Sequence, residues 1–307
     1  MKTYTKLSFL AIAVALVSLG ACKKGSSKKD NNNNNGNGGY QKTTYNTNPQ
    51  TATASCDYDS SDTSLTNHGW TKTFDDEFSN GLGNWDALTG GVQKELELNQ
   101  SSNVQVSNGV LTITAKKESV SGPKTYGSDT TANFNFSSGW IVSNATFAPT
   151  SSASKIRIVA RIKTAGGNGL TSTFYGFGDS VWPTNGEIDF MESIGNDPKT
   201  YAVDYFYGST AGTDLVTDGL TFNPTTADLS TCFHVYTMEW TQNSLSSYLD
   251  GNLVETSNSS YIPKLFGQGH HLSFAVPIGG LYYSNLDAST VQGGTLTVDY
   301  VKVFTSK

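Results

Sequence analysis

Short runs in which apolar and polar residues alternate recur along the chain from Trp70 onward, and no long segment repeats an apolar residue every three or four positions. Successive side chains of a strand point to opposite faces, so alternation with a period of two predicts a strand with one buried face. The clearest runs are VLTITA from Val110, KIRIVARIK from Lys155, FHVYTMEW from Phe233, SSYLD from Ser246 and TLTVDYVKVF from Thr295.

Glycine and asparagine residues mark the turns between these runs. Asn108-Gly109, residues 166–169 and Asp250-Gly251-Asn252 are turn signals, and the last is typical of a tight hairpin. Many short strands with such turns predict an all-β fold, an antiparallel sandwich. The chain has 307 residues and no internal repeat, and sandwiches of about 200 to 250 residues are common as single domains.

The first residues predict a secretion signal. Lys2 and Lys6 precede an apolar run over residues 7–19, which is shorter than the ~20 residues of a membrane span. The run ends in Leu19-Gly20-Ala21-Cys22, which resembles a bacterial lipobox and implies cleavage before Cys22 and acylation of its thiol. The alternative is an ordinary signal with an incidental cysteine. The resemblance, to lipoproteins of the Bacteroidetes, implies a lipid-anchored protein of the outer membrane, on either face.

Residues 22–66 are rich in lysine, serine, asparagine and glycine, and predict a disordered tether between the lipidated Cys22 and a domain over residues 67–307. Cys56 and Cys232 are the other cysteines. In an oxidising compartment they either form a disulfide or remain free thiols, and both readings stay open.

The net charge of the domain limits the classes of partner that it can bind. The whole chain carries a formal net charge of −6, but residues 51–307 hold 13 basic and 25 acidic groups. Such a surface disfavours polyanions, so the sequence argues against nucleic acid and sulfated glycans and favours a neutral partner. The four histidines are scattered without metal-ligand spacing, so no catalytic metal is predicted.

The candidate chemistry lies in VWPTNGEIDFMESI, residues 181–194. In a regular strand Glu187 and Asp189 share one face and Glu192 points to the other, but a β-bulge between them brings all three carboxylates to one face. Two carboxylates about 5 to 5.5 Å apart are the machinery of retaining glycosidases. A strand with a solvated acidic face is the alternative.

The stretch WPTNGEIDFMES resembles the active-site signature of glycoside hydrolase family 16, the laminarinase-like enzymes. FDDEFSNGLGNW from Phe74, KIRIVARIKTAGGNGL from Lys155 and TLTVDYVKVF from Thr295 are similar to other family segments, in the family's order. The resemblance implies a β-jelly roll of two antiparallel sheets with a concave cleft. It assigns Glu187 as nucleophile, Glu192 as acid/base and Asp189 as their support. We therefore expect a monomeric, endo-acting retaining β-glucanase that needs no cofactor for catalysis.

Aromatic side chains offer flat faces to sugar rings. Five are expected to bind substrate: Trp182, Tyr175, Phe174, Trp140 and Trp85. Trp182 matches a family position next to the catalytic subsite. For the other four, a core or rim position is the alternative.

The chain departs from the laminarinase pattern at three places, one of which is YAVDYFYG from Tyr201, where many members carry a histidine and this chain has none. Thr171 replaces a tryptophan, and Tyr282-Tyr283 stand where laminarinases usually have Trp-Pro. The substrate is therefore expected to be a β-1,3- or mixed β-1,3/1,4-glucan. A β-galactan or xyloglucan cut by the same mechanism, or a non-catalytic glycan-binding lipoprotein, are the alternatives.

A structural calcium ion is a further property of many family members. The resemblance implies such a site at Glu77, Gly109 (through its carbonyl) and Asp299. Solvated carboxylates are the alternative.

Overall fold

The computed structural model describes residues 50–179, 181–211, 221–283 and 285–307. The strands in these residues follow in chain order. They are β1 (Thr71–Asp76), β2 (Trp85–Ala87), β3 (Gly90–Gly91), β4 (Glu97–Asn99), β5 (Val104–Ser107), β6 (Val110–Pro123), β7 (Thr131–Ser138), β8 (Trp140–Phe147), β9 (Lys155–Lys163), β10 (Thr171–Gly178), β11 (Glu187–Ile194), β12 (Thr200–Phe206), β13 (Thr221–Pro224), β14 (His234–Thr241), β15 (Leu245–Leu249), β16 (Asn252–Ser257), β17 (His270–Ala275) and β18 (Gly294–Ser306).

Two sheets form a sandwich in the described part of the chain. The outer sheet has the order β16-β15-β14-β9-β18-β6-β7-β4-β3, with β1 paired to β18 and β5 to β6. The cleft sheet has the order β13-β12-β11-β10-β17-β8-β2. The pairings between these strands are antiparallel except that of β4 with β7. The predicted antiparallel sandwich is confirmed.

The facing sides of the two sheets bury one hydrophobic core, as the alternation of residues predicts. On β9, Ile156, Ile158 and Ile162 are buried in it, while the charged residues between them point outward. The cleft sheet contributes Phe174 from β10 and Ile188 from β11. The alternate residues of β10 and β11 therefore point away from the core.

The predicted hairpin at Asp250-Gly251 is confirmed. Both residues have a positive φ, 48° and 78°, and they join β15 to β16. Two consecutive residues in this conformation form the type I′ turn, which matches the twist of the flanking strands. Asn108-Gly109, with φ values of 52° and 74°, joins β5 to β6 in the same way.

The domain begins earlier than the sequence predicts. Residues 50–67, which we call the N-terminal strap, run from the edge of the cleft sheet, where Ala52 pairs with Thr225 next to β13, onto the outer sheet, whereas the sequence predicts a tether up to residue 66. The backbone of Ser55 donates to Asp250, Arg161 donates to the carbonyl of Tyr58, and Cys56 forms a disulfide with Cys232. These contacts fix a polar segment that has little apolar surface of its own to bury.

Helices are short in the described residues. The strap ends in helix α1 (Asp62–Asn67), and α2 spans Ile262–Leu265. Single 3₁₀ turns span Ser101–Asn103, Leu281–Tyr283 and Ala288–Thr290. None of the helices in the described ranges is long and apolar enough to cross a membrane. The predicted signal and the lipidation site Cys22 lie outside these ranges.

Candidate active site

The acidic motif lies on β11, and the predicted bulge is confirmed. Asp189 and Glu192, three positions apart, pair with Asp204 and Ala202 of β12, two positions apart. The residues between them, Phe190 and Met191, are both buried in the core. Because two consecutive side chains point inward, Glu192 returns to the face of Glu187 and Asp189, which is the cleft face.

Gly186 allows the chain to enter β11 in the required direction. Its φ is +79°, and a Cβ at this position would lie 2.6 Å from Leu265. A side chain would be strained and would also clash, so only glycine fits here. Glu187 begins the strand immediately afterwards.

Glu187 receives hydrogen bonds from two neighbours. The indole Nε1 of Trp182 donates to its Oε2 at 2.6 Å. The carboxyl of Asp189 is also hydrogen-bonded to Glu187. Burial, followed by the charges of Glu187 and Glu192, raises the pKa of Asp189 well above its ordinary value. A raised pKa favours the protonated form of Asp189, which can donate to Glu187 and, with the indole of Trp182, stabilise a negative charge there.

Glu192 lies beyond the bulge, on the cleft face with Glu187, and its side chain is partly exposed. Burial raises its pKa to about 7, while a hydrogen bond from the phenol of Tyr282 opposes this rise. A carboxyl with a pKa near 7 holds and releases a proton at neutral pH, as a general acid/base must.

Asp204 completes an acidic cluster on the cleft face. One oxygen each of Asp189, Glu192 and Asp204 lies within 4.8 Å of the others, and in the described part of the chain this is the one grouping that could offer three ligands to a cation. The spacing does not require a cation, because a protonated Asp189 removes much of the repulsion.

Besides the acidic cluster, a pair of glutamates, Glu95 and Glu97, lies at the wall of the cleft. Glu97 is fully buried, and its Oε2 accepts from the backbone of Ile278 at 2.9 Å. The carboxyl of Glu95 is hydrogen-bonded to Glu97. Burial and the neighbouring Glu97 raise the pKa of Glu95 well above its ordinary value. The raised pKa favours the protonated form of Glu95, which lines the cleft.

The acidic cluster lies in a groove made of two connected cavities. The first, of about 440 Å³, is lined by Glu187, Asp189 and Glu192. The second, of about 1130 Å³, is lined by Trp140, Tyr126 and other residues of the neighbouring strands. Gln93, Lys94 and Glu95 line both. The carboxylates thus lie within an extended groove.

Two of the five predicted substrate-binding aromatics lie at this groove. Trp140 lines the second cavity, and its indole donates to Ser273 at 2.9 Å. Tyr175 is partly exposed on the cleft face of β10, opposite Asp189. Its ring packs against Phe177, which lines the second cavity.

The other three predicted aromatics have different positions. Phe174 is fully buried and stacks on Phe274 with ring centroids 4.5 Å apart, so its predicted substrate contact is wrong. Trp85 is wrong for the same reason, because it is buried in the core and its indole donates to Asp76. Trp182 lies beside Glu187 as predicted, but it lines neither of the two cavities and donates a hydrogen bond to the Glu187 carboxylate.

The residues expected to hold calcium do not fit a cation site. The carboxylate of Asp299 accepts from Arg161 at 2.7 Å, and that of Glu77 lies 3.7 Å from Lys302. Gly109 approaches the backbone of Glu77. Both carboxylates thus face a cationic side chain already, and calcium binding to this chain remains only a prediction.

Sequence reasoning missed three cleft residues. Asp204 was detectable, because alternation along YAVDYFYG places Ala202, Asp204 and Phe206 on one face of a strand that follows the acidic motif. Glu95 and Tyr282 come from segments outside the regular strands. Their approach to the carboxylates depends on contacts over about 90 residues or more, for which the sequence carries no local signal.

The profile of the family described as "Glycosyl hydrolases family 16" matches residues 93–302. This range includes β11 with its acidic cluster and the pair Glu95 and Glu97. A β-glucanase of Rhodothermus marinus is 28% identical over 145 residues, which are 42% of this chain and 47% of that protein. The chain spans less than half the length of the curated relatives it matches.

Solved structures share the fold. The endo-β-1,3-glucanase of Pyrococcus furiosus aligns with a TM-score of 0.65 at 24% identity, over 78% of this chain and 95% of that chain. The catalytic domain of an endo-1,3-β-glucanase (laminarinase) of Thermotoga petrophila aligns with a TM-score of 0.64 at 25% identity, over 78% of this chain and 98% of that chain.

Proposed function

The chain belongs to the glycosyl hydrolases of family 16, and from this premise we propose that it is an endo-acting retaining β-glucanase. The observation that carries the proposal is the bulge of β11, which places Glu187, Asp189 and Glu192 on one face of a groove. The proposed substrate is a β-1,3- or mixed β-1,3/1,4-glucan.

In the first step Glu187 attacks the anomeric carbon, and the bond to the leaving oxygen breaks as Glu192 protonates that oxygen. The two hydrogen bonds to Glu187 hold its carboxylate in one orientation. They come from neutral donors, Trp182 and Asp189, so no cation must be displaced when the carboxylate forms its bond to carbon. A glycosyl ester of Glu187 results.

In the second step Glu192, now a carboxylate, removes a proton from water, and the water oxygen displaces Glu187 from the anomeric carbon. Esterification removes the negative charge of Glu187, so the electrostatic field at Glu192 becomes less negative, which favours its ionised form. A pKa of about 7 for Glu192 in the free enzyme suits both of its roles.

The shape and charge of the groove support a neutral polymer as substrate. The acidic cluster lines the first of two cavities that share Gln93, Lys94 and Glu95, so sugar units can extend from the cleavage point towards the second cavity. Carboxylates line the catalytic part, and a polyanionic glycan would be repelled there. The names of the similar proteins, β-glucanase and endo-β-1,3-glucanase, favour glucans.

We further propose that a lipid on Cys22 anchors this enzyme, as a monomer, to the outer membrane. The support is Leu19-Gly20-Ala21-Cys22 behind an apolar run. A Cys22→Ala variant should leave the membrane fraction and lose incorporation of radioactive palmitate. A variant that stays lipidated and membrane-bound would refute the anchor.

The activity is tested by incubating the purified protein with laminarin, barley mixed-linkage glucan, agarose and xyloglucan and measuring new reducing ends. We expect release from one or both glucans, with products several sugar units long and the β configuration retained at the new ends. Release only from agarose or xyloglucan would keep the mechanism and refute the substrate. Binding without cleavage would identify a glycan-binding protein.

A further inference from the structure

The phenol of Tyr282 donates a hydrogen bond to Oε2 of Glu192. Tyr282 is 6% exposed and belongs to the 3₁₀ turn Leu281–Tyr283, which lies across the groove from β11. The sequence comparison gave it no role, since laminarinases usually have Trp-Pro at this place.

The turn itself is firmly held. Gly279 and Gly280 precede it with φ values of 79° and 76°, a conformation that favours glycine. The phenol of the next residue, Tyr283, donates to the carbonyl of Leu170 at 2.8 Å and to Asn196 at 3.0 Å. The hydroxyl of Tyr282 is therefore presented to Glu192 by an anchored turn.

We propose that Tyr282 is a positioning residue for the acid/base, fixing Oε2 of Glu192 so that Oε1 faces the sugar and stabilising the ionised form that the second step needs. The proposal rests on the proposed function for the role of Glu192. A phenol suits this position because it donates to Oε2 in both steps. When Glu192 is the acid, its proton resides on Oε1; when Glu192 is the base, the bond to Oε2 becomes charge-assisted and stronger.

The surroundings of Glu192 explain why a neutral donor is useful there. The titratable groups that line the cavity with it are acids and phenols, apart from Lys94: Glu187 and Asp189 on β11, Asp204 on β12, Glu95 ahead of β4, and Tyr282 and Tyr283. Burial and the charge of Glu192 keep the pKa of Tyr282 well above its ordinary value, so the phenol retains its proton throughout turnover.

The test compares Tyr282→Phe with the matched control Tyr283→Phe, which removes a buried phenol from the same turn without touching a carboxylate. Protein labelled with carbon-13 at the glutamate carboxyl is titrated by NMR, and Glu192 is assigned with Glu192→Gln. Loss of a hydrogen bond to the ionised form should raise the pKa of Glu192 by about one unit in Tyr282→Phe. It should move much less in Tyr283→Phe, which weakens the anchoring of the turn but keeps the phenol of Tyr282.

Kinetics provide the second readout. Activity requires protonated Glu192 in the first step, so kcat on glucan falls as pH rises through its pKa. In Tyr282→Phe this alkaline limb should move upward by about one pH unit. 3-Fluorotyrosine at position 282, a stronger donor of nearly the same shape, should move it downward. This third variant preserves the packing if phenylalanine disturbs the fold.

The outcomes separate the two proposals. An unchanged pKa of Glu192 in both the phenylalanine and the fluorotyrosine proteins would overturn the role of Tyr282, even if the protein cleaves glucan. Equal shifts in Tyr282→Phe and Tyr283→Phe would also overturn it, because the effect would then be a general loosening of the turn. A shift specific to position 282 in a protein that cleaves no glycan would support the contact and refute the proposed activity.

Discussion

The carboxylates that pair with arginine lie on the outer sheet, whereas the acidic cluster of the cleft accepts hydrogen bonds from neutral donors. On the outer sheet Glu239 accepts from Arg157 at 2.9 Å, and Asp299 accepts from Arg161 at 2.7 Å. These are the two arginines of the chain, and both lie on β9. In the cleft, the hydrogen bonds come from the indole of Trp182, the phenol of Tyr282 and the carboxyl of Asp189.

The two kinds of carboxylate therefore affect different properties: the ion pairs of the outer sheet affect stability, and the acids of the cleft affect protonation. An exposed ion pair contributes about 0 to 1 kcal/mol, and its carboxylate stays ionised at neutral pH. Crowded acids without cations cost stability, but their raised pKa values keep protons available near pH 7. The sandwich can tolerate such a cluster because the disulfide and the arginine ion pairs lie on the outer sheet and the core lies between the sheets, away from the cleft face. Three predictions test this separation.

Removal of Glu187 should have the largest effect. Glu187→Ala is expected to lower kcat on glucan by roughly 10⁴-fold or more, because the covalent intermediate can no longer form. The matched control on the outer sheet is Glu239→Gln, which removes a paired carboxylate and should keep wild-type turnover. Circular dichroism checks that both proteins are folded.

Rescue of the Glu187→Ala variant by azide is a second test of the assignment of Glu187. The anion is small enough to occupy the space left in Glu187→Ala, and it should restore turnover of an activated aryl glucoside and yield an α-glucosyl azide. Wild-type rates in purified Glu187→Ala would refute the assignment of the nucleophile.

The disulfide should affect stability alone. It joins the strap to the start of β14 and closes a loop with a sequence separation of 176 residues. Cys56→Ser with Cys232→Ser should lower the free energy of unfolding by about 4 kcal/mol, since long loops gain most entropy when the chain unfolds without the crosslink. Urea unfolding measures this loss, and kcat should not change. A large fall in kcat in the folded double variant would show that the outer sheet and the cleft are coupled.

Much of this arrangement could be predicted from the sequence because the relevant signals are local. Alternation along residues 155–163 reveals the buried and exposed faces of β9, and Asp250-Gly251 identifies the hairpin between β15 and β16. The spacing of the acidic motif requires a bulge if Glu187 and Glu192 are to act together, and the strand pairing contains that bulge.

The remaining features depend on contacts between distant segments. Phe174 and Tyr175 are neighbours on β10 and necessarily point to opposite faces, but only the pairing of Tyr175 with Asp189 determines which of them faces the cleft. Asp299 matches a calcium position in the sequence, but in the fold Arg161 of β9 lies beside it and pairs with its carboxylate. The composition of the strap is typical of a tether. Its order comes from contacts with the rest of the domain and from the disulfide, which its own composition does not reveal.

The smallest of the three effects distinguishes the two kinds of carboxylate directly. If Asp189 is a neutral donor to Glu187, Asp189→Asn preserves both the neutrality and a donor, so kcat should stay within about tenfold of wild type. Asp189→Ala deletes the donor and should lower kcat by roughly 10²-fold.

The matched pair of substitutions on the outer sheet should behave differently. Asp299 is the partner of Arg161, so asparagine cannot replace the lost charge, and Asp299→Asn should lower stability as much as Asp299→Ala, in each case by no more than about 1 kcal/mol. If asparagine and alanine were equally damaging at position 189, Asp189 would have to act as an anion. The cleft would then need its charge, and the contrast between the two sheets would lie in geometry and not in protonation.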